Sequence, residues 1–351
     1  MQFLSKAFPT AKTVDALVAG NKENNNFDFL RFLAAVCVIY SHSFPLGAKL
    51  PDPKMPFFDN SVGGFGVYLF FILSGFLVTH SFMSSKTPVS FFAKRLLRIF
   101  PALIVVMAVS AFVLGPLVSN LSVHAYFSSH ETYAYLKGCA LFWGNGRLPG
   151  VFCGNIFPFA INGSLWTLPF ELACYVFLAV IGFAGIISRK KFNLQALLLT
   201  VVLALVMAHN LDSRKLMGFA CFFAAGMLFY VCREFIPLSY KLLGPCLALL
   251  VVKSLLPVSV PEEALSILLA YVVLYTAALD AYPLKHFGKY GDFSYGMYIY
   301  AFPVQQAIVF FIGKTNPYSM FAISFIATLV FAALSWHFVE KRCMAAKKYF
   351  Q

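Results

Sequence analysis

Ten apolar runs, at residues 27–46, 62–83, 99–118, 163–187, 192–209, 216–232, 242–260, 263–280, 292–313 and 317–339, leave this chain few ways to fold. A membrane-crossing helix needs about 20 predominantly apolar residues. Backbone inside hydrocarbon must satisfy its own polar groups, which an α-helix does within one segment. The expected class is therefore all-α: a polytopic membrane bundle of about ten transmembrane helices. Only 12% of the residues are charged, half the roughly 25% of a soluble domain, which excludes an ordinary soluble core.

Three regions follow. Residues 1–26 read as a polar N-terminal segment without an apolar leader, 27–342 as the membrane domain, and 343–351 as a basic tail. No internal repeat or low-complexity tract interrupts them. Leaving out Arg31, 18 Lys and Arg lie near the span ends of one set of loops and 8 near those of the other. The richer side is expected to be cytoplasmic, which puts both termini inside, as an even number of spans also does. The net charge of +13 is thus a topology signal, and no nucleic-acid partner is expected. The eight cysteines form no C-x-x-C or Cys/His spacing, so no metal is expected. Cys139 and Cys153 share the long loop 119–162, where an oxidising compartment would allow a disulfide.

Two ionisable groups stand in the first run, Arg31 and His42. Eleven helical steps place them on nearly the same face, about 16 Å apart. Ionisable groups in a membrane helix are functional candidates because burying them costs several kcal/mol. Snorkelling of Arg31 to the headgroups is the bland alternative. Glu171 lies about nine residues into the fourth run, and its available partners are chiefly His42 and Arg31. Bonded to His42, it would fix the imidazole tautomer and make His42 a general base for a hydroxyl. Bonded to Arg31, it would be a structural pair between two helices. Arg95 and Arg98, three apart, share a helix face and suit phosphate oxygens; the same pair would also serve as a cytoplasmic anchor to lipid phosphates. Trp166 is placed either to stack on a sugar ring or to anchor the interface. His80, His124 and His130 read as interfacial or solvated, Asp28 as a group that orients Arg31, and Ser74-Gly75 as a close-packing site.

These residues carry a resemblance. The chain resembles acyltransferase family 3, the bacterial membrane O-acyltransferases. Arg31 and His42 match its Arg-x10-His pattern, and Phe70–Phe76 its F-F-x-L-S-G-F motif. Arg95 and Arg98 match R-x-x-R, and Asn162–Glu171 match N-G-S-L-W-T-L-x-x-E. Ser294–Pro303 match S-Y-x-x-Y-L-x-H-x-P only in part, with Ala301 where the family often has histidine. Ser335–Lys341 look like the closing S-W-x-x-x-E-K. The resemblance implies transfer of an acyl group, usually acetyl, from cytoplasmic acyl-CoA to a hydroxyl of a surface glycan or lipid-linked sugar, in the bacterial inner membrane. It implies Arg31, Arg95 and Arg98 at the donor phosphates, His42 and Glu171 at the chemistry, and Asn162 and Trp166 at the acceptor. Two other classes fit a polytopic chain with buried ionisable groups: a proton-coupled transporter, and a shuttle that moves acyl groups to a separate transferase.

Overall fold

The computed structural model describes residues 12–19, 25–56, 58, 60–140, 146–187, 214–256, 260–281 and 284–350. Among them the regular structure is helical, with three isolated β-bridges in the connecting loops. The long helices are α1 Phe27–Ala48, α2 Val62–Ser84, α3 Pro88–Val109, α4 Leu168–Phe183, α5 Arg214–Val231, α6 Tyr240–Leu255, α7 Glu262–Ala278, α8 Ser294–Ile312 and α9 Pro317–Ser335.

Six helical stretches among the described residues are long and apolar enough to cross a membrane: α1, α2, Pro88–Val118, Leu165–Phe183, α8 and Pro317–Phe350. The all-helical class holds; the expected count of about ten is not reached among the described residues. Two of the expected runs hold helices shorter than a full span, α6 with 16 residues and α7 with 17, and the side chains of the first turn of α5 lie outside the described residues. The expected run 192–209 lies outside the described residues.

Local chemistry sets the helix starts. Ser61 caps α2 by accepting from the Gly64 amide at 3.0 Å. Thr87 caps α3 by accepting from the Ser90 amide at 3.1 Å, with Pro88 in the first turn. That cap starts α3 eleven residues before the expected span, so Arg95 and Arg98 lie inside the helix. The helix then runs on through a π-helical turn, Ser110–Leu114, to Val118. The entry to α1 is tied down by Asn26, whose side-chain amide donates to the Thr276 and Leu279 carbonyls at the end of α7.

At the centre, α1 packs against α2, α8 and α9, while α5 lies along α2 and is backed by α7. The α2–α5 contact needs glycine: a Cβ on Gly75 would strike the Phe223 carbonyl, and one on Gly226 the Ile72 carbonyl. Small residues permit this backbone approach, which accounts for Gly75 in the Ser74-Gly75 pair. Between Leu148 and Trp166 the chain is largely irregular and partly buried, with Ile161 and Ser164 almost inaccessible. Irregular backbone at membrane depth is tolerated only where protein covers it. In the same region Cys153 is a free thiol, so the Cys139–Cys153 disulfide is not formed in this structure; the Cys139 side chain lies outside the described residues.

Candidate active site

Three spaces follow one another through the bundle. The first, about 470 Å³, lies at the Arg31 end of α1; its walls include Arg31, Ser74, His80, Arg95, Glu171 and Tyr175. Another, about 380 Å³, lies at the His42 end; its walls include Ser41, His42, Asp52, Asn60, Trp166 and Glu262. A constriction of about 50 Å³ stands between them, walled in part by Val67, Phe70, Thr167 and Tyr298. It shares Arg31, Ser74 and Glu171 with the first space and Val67 and Tyr298 with the other. Along α2, Ser74 in the first space and Gly64 in the other are ten residues apart, about 15 Å at 1.5 Å per residue.

At the Arg31 end the charges form a chain. Asp292, just before α8, takes Arg31 at 2.9 Å and Arg98 at 2.5 Å on one carboxylate oxygen. Its other oxygen accepts from the Ser294 amide and hydroxyl. Arg98 also reaches Glu340 at 3.4 Å, and Ser335 donates to the far oxygen of Glu340 at 3.0 Å. Glu340 is aimed by a π-helical turn over Trp336–Glu340. Burial pushes the Asp292 carboxyl up, but Arg98 and Arg31 outweigh it and hold the group well below the ordinary carboxylate range. Neither Asp292 nor its pairing with Arg31 and Arg98 was evident in the sequence.

The two arginines of R-x-x-R therefore differ. Arg98 is spent on Asp292 and Glu340. Arg95 donates only to the Ser81 hydroxyl at 3.2 Å, its Nε is buried without a partner, and no carboxylate lies within ion-pair distance among the described residues. Among the described residues its guanidinium makes no ion pair. Lys347 joins it on the wall.

Glu171 falls in the first turn of α4, because Leu165–Thr167 form only a 3-10 turn. It accepts from the Ser74 hydroxyl at 3.1 Å and from the Tyr175 hydroxyl. It thus bonds neither His42 nor Arg31, and the expected His42–Glu171 pair is not made. Glu171 faces the first space and the constriction, His42 the far space. The expectation misjudged depth, since Asn162–Thr167 is not a helical extension of α4. His42 presents its ring edge-on to Phe302 with centroids 5.6 Å apart, and its Nδ1 is buried without a partner. The carboxylates in its space are Asp52 and Glu262.

Asn162 lines none of the three spaces. Its side chain donates to the Ile299 carbonyl at 2.8 Å and accepts from the Ser164 amide at 3.1 Å, which fastens the loop to α8. Both ends of this buried amide are thus satisfied within the fold. Trp166 does face the His42 space and stays 41% exposed, with its ring beside Phe170 and Phe219. His124 and His130 are exposed on short helices away from all three spaces.

Comparison with known proteins gives three matches. The family model of an acyltransferase domain matches residues 24–337. An O-acetyl transferase of Shigella phage Sf6 is 31% identical over 330 residues, covering 91% of this chain and 96% of that protein. Nodulation protein 10 of Rhizobium leguminosarum bv. viciae is 28% identical over 356 residues, covering 91% of this chain and 93% of that one. No solved structure matches the chain.

Proposed function

Starting from the chain's membership of acyltransferase family 3, we propose that this membrane O-acyltransferase carries an acyl group, in the simplest case acetyl, from acyl-CoA at the Arg95 end to a glycan hydroxyl at the His42 end. One observation carries the reading: a space with an unpaired arginine and a space with a histidine are joined by a constriction. The O-acetyl transferase relative supports acetyl as the group. The Lys/Arg bias supports a cytoplasmic Arg95 end, with both termini cytoplasmic and the chain multi-pass in the bacterial inner membrane.

On this reading the coenzyme's phosphates meet Arg95, with Arg31 and Lys347 on the same wall. Its arm enters the constriction past Ser74 and Glu171, whose polar groups suit the arm's amides. The roughly 15 Å from Ser74 to Gly64 along α2 sets the scale over which the thioester must reach. A surface polysaccharide, lipopolysaccharide or lipid-linked sugar enters the far space beside Trp166. Its hydroxyl gives a proton to His42 while its oxygen attacks the thioester carbonyl carbon. The O–C bond forms, the C–S bond breaks, and the coenzyme departs as a thiolate. A thiol with an ordinary pKa of about 8.5 leaves readily; the thiolate takes a proton from water while the His42 imidazolium gives its proton back to water, which restores the base.

The test is donor binding to the purified full chain, read with labelled acetyl-CoA. Arg95→Ala removes a charge-assisted contact of about 1.5–3 kcal/mol, so affinity should fall roughly 10- to 100-fold. Arg95→Lys should restore it only in part, because lysine lacks the planar fork. Arg98→Ala should act first on thermal stability, since it strips Asp292 and Glu340 of their partner. Unchanged donor affinity in Arg95→Ala would contradict the assignment.

A further inference from the structure

The geometry points to Asp52 as the positioning carboxylate of His42. This rests on the reading of His42 as the base and adds the group that orients it. Three observations converge on Asp52. First, the Ser41 hydroxyl, buried beside His42 in sequence, donates to Asp52 Oδ1 at 2.8 Å and leaves the other carboxylate oxygen uncommitted. Second, His42 Nδ1 is buried and lacks a partner, and an unpaired buried nitrogen costs free energy that a carboxylate acceptor would recover. Third, Asp52 and His42 line the same space.

The loop that carries Asp52 is built to hold it. Lys54 and Ser61 form a β-bridge, Val62 donates to the Pro53 carbonyl at 2.8 Å, and Met55 donates to the Asn60 carbonyl at 2.9 Å. Gly63 lets α2 close on Ser41: a Cβ there would stand 2.8 Å from the Ser41 Cβ. The Ser41–Asp52 link is thus pressed from one side by α2 and anchored on the other by the loop. Glu262, the other carboxylate of the space, sits instead over Gly218.

On this assignment the His42 Nδ1–H is donated to Asp52. Proton on Nδ1 leaves Nε2 as the acceptor of the hydroxyl proton, and the carboxylate steadies the imidazolium that forms. Asp52 holds and orients; it takes no proton itself.

The experiment uses membranes carrying the full chain, with labelled acetyl-CoA as donor and the membranes' own glycan as acceptor. Asp52→Asn should lower the rate at saturating donor by about 10²-fold or more, with half-saturation by donor unchanged. Asp52→Glu should recover part of the loss. In the same protein in lipid nanodiscs, ¹⁵N-histidine spectra should place the His42 proton on Nδ1 in the parent and lose that preference in Asp52→Asn, the His42 signal being identified with His42→Ala. Ser41→Ala, which frees Asp52 without removing its charge, should give an intermediate rate. It decides the matter should Asp52→Asn insert poorly. A parental rate and an unaltered tautomer in Asp52→Asn, with His42→Ala inactive, would overturn the role of Asp52 and leave the proposed function standing. A parental rate in His42→Ala would instead overturn the reading on which it rests.

Discussion

Replacing His42 by alanine should stop transfer while donor binding survives. A sugar hydroxyl is a poor nucleophile until a base takes its proton, and a placed imidazole contributes typically 10²–10⁴-fold. His42 lines the far space and Arg95 the first, with the constriction between them. On the proposed function, replacing His42 therefore leaves the donor's contacts at the Arg95 end untouched. Labelled acetyl-CoA should bind the variant with parental affinity, and label in the glycan should fall to background. Glu171→Gln, whose side chain lies among Ser74 and Tyr175, should act differently. It should disturb the path of the donor arm and show its loss partly in donor half-saturation.

Asp292→Asn should have the largest effect on stability. The substitution leaves Arg31 facing no carboxylate it now reaches and Arg98 with Glu340 alone. Breaking a buried ion pair by removing one partner costs about 3–5 kcal/mol. Thermal unfolding of the purified protein in detergent should show a clearly lower midpoint than the parent. The sign of the pH dependence follows from the depressed carboxyl. Its contribution is complete above the ordinary carboxylate range and is lost as pH falls toward the folded-state value. The Asp292→Asn deficit should accordingly be constant from neutral down to mildly acidic pH. A deficit that vanishes near neutrality would contradict the ion-pair account.

Much of this architecture was written in local patterns. Apolar runs long enough to span and the Ser74-Gly75 close-packing pair are each read from a few neighbouring residues, whereas the Thr87-Pro88 start of α3 was missed. The polar residues that matter were legible as types: Arg31, His42, Arg95 and Glu171 stand out because charge is scarce in apolar runs. What was not legible is pairing. Asp292 lies 261 positions from Arg31 and 194 from Arg98, and no local spacing predicts that one carboxylate takes both. The same holds for Ser74 with Glu171, 97 positions apart. Glu171 was misplaced for a different reason. Treating Asn162–Thr167 as helix set its depth, whereas that stretch is a loop and a short 3-10 turn fastened by Asn162 to α8. Asp52 went unseen because it sits in a loop that reads as a polar connection until Ser41 and His42 are seen beside it.

A sided transfer assay goes furthest toward deciding the function. Membrane vesicles from cells making the protein are prepared inverted, with the cytoplasmic face outward, and right-side-out, each with its own glycan. Both receive labelled acetyl-CoA in the external medium. Donor entry at the Arg95 end and chemistry at the His42 end predict that inverted vesicles place label on lumenal glycan, shielded from added glycosidase, and that right-side-out vesicles place none. Equal labelling in the two preparations, or label confined to glycan on the donor's own side, would contradict passage of the acyl group from the Arg95 space to the His42 space.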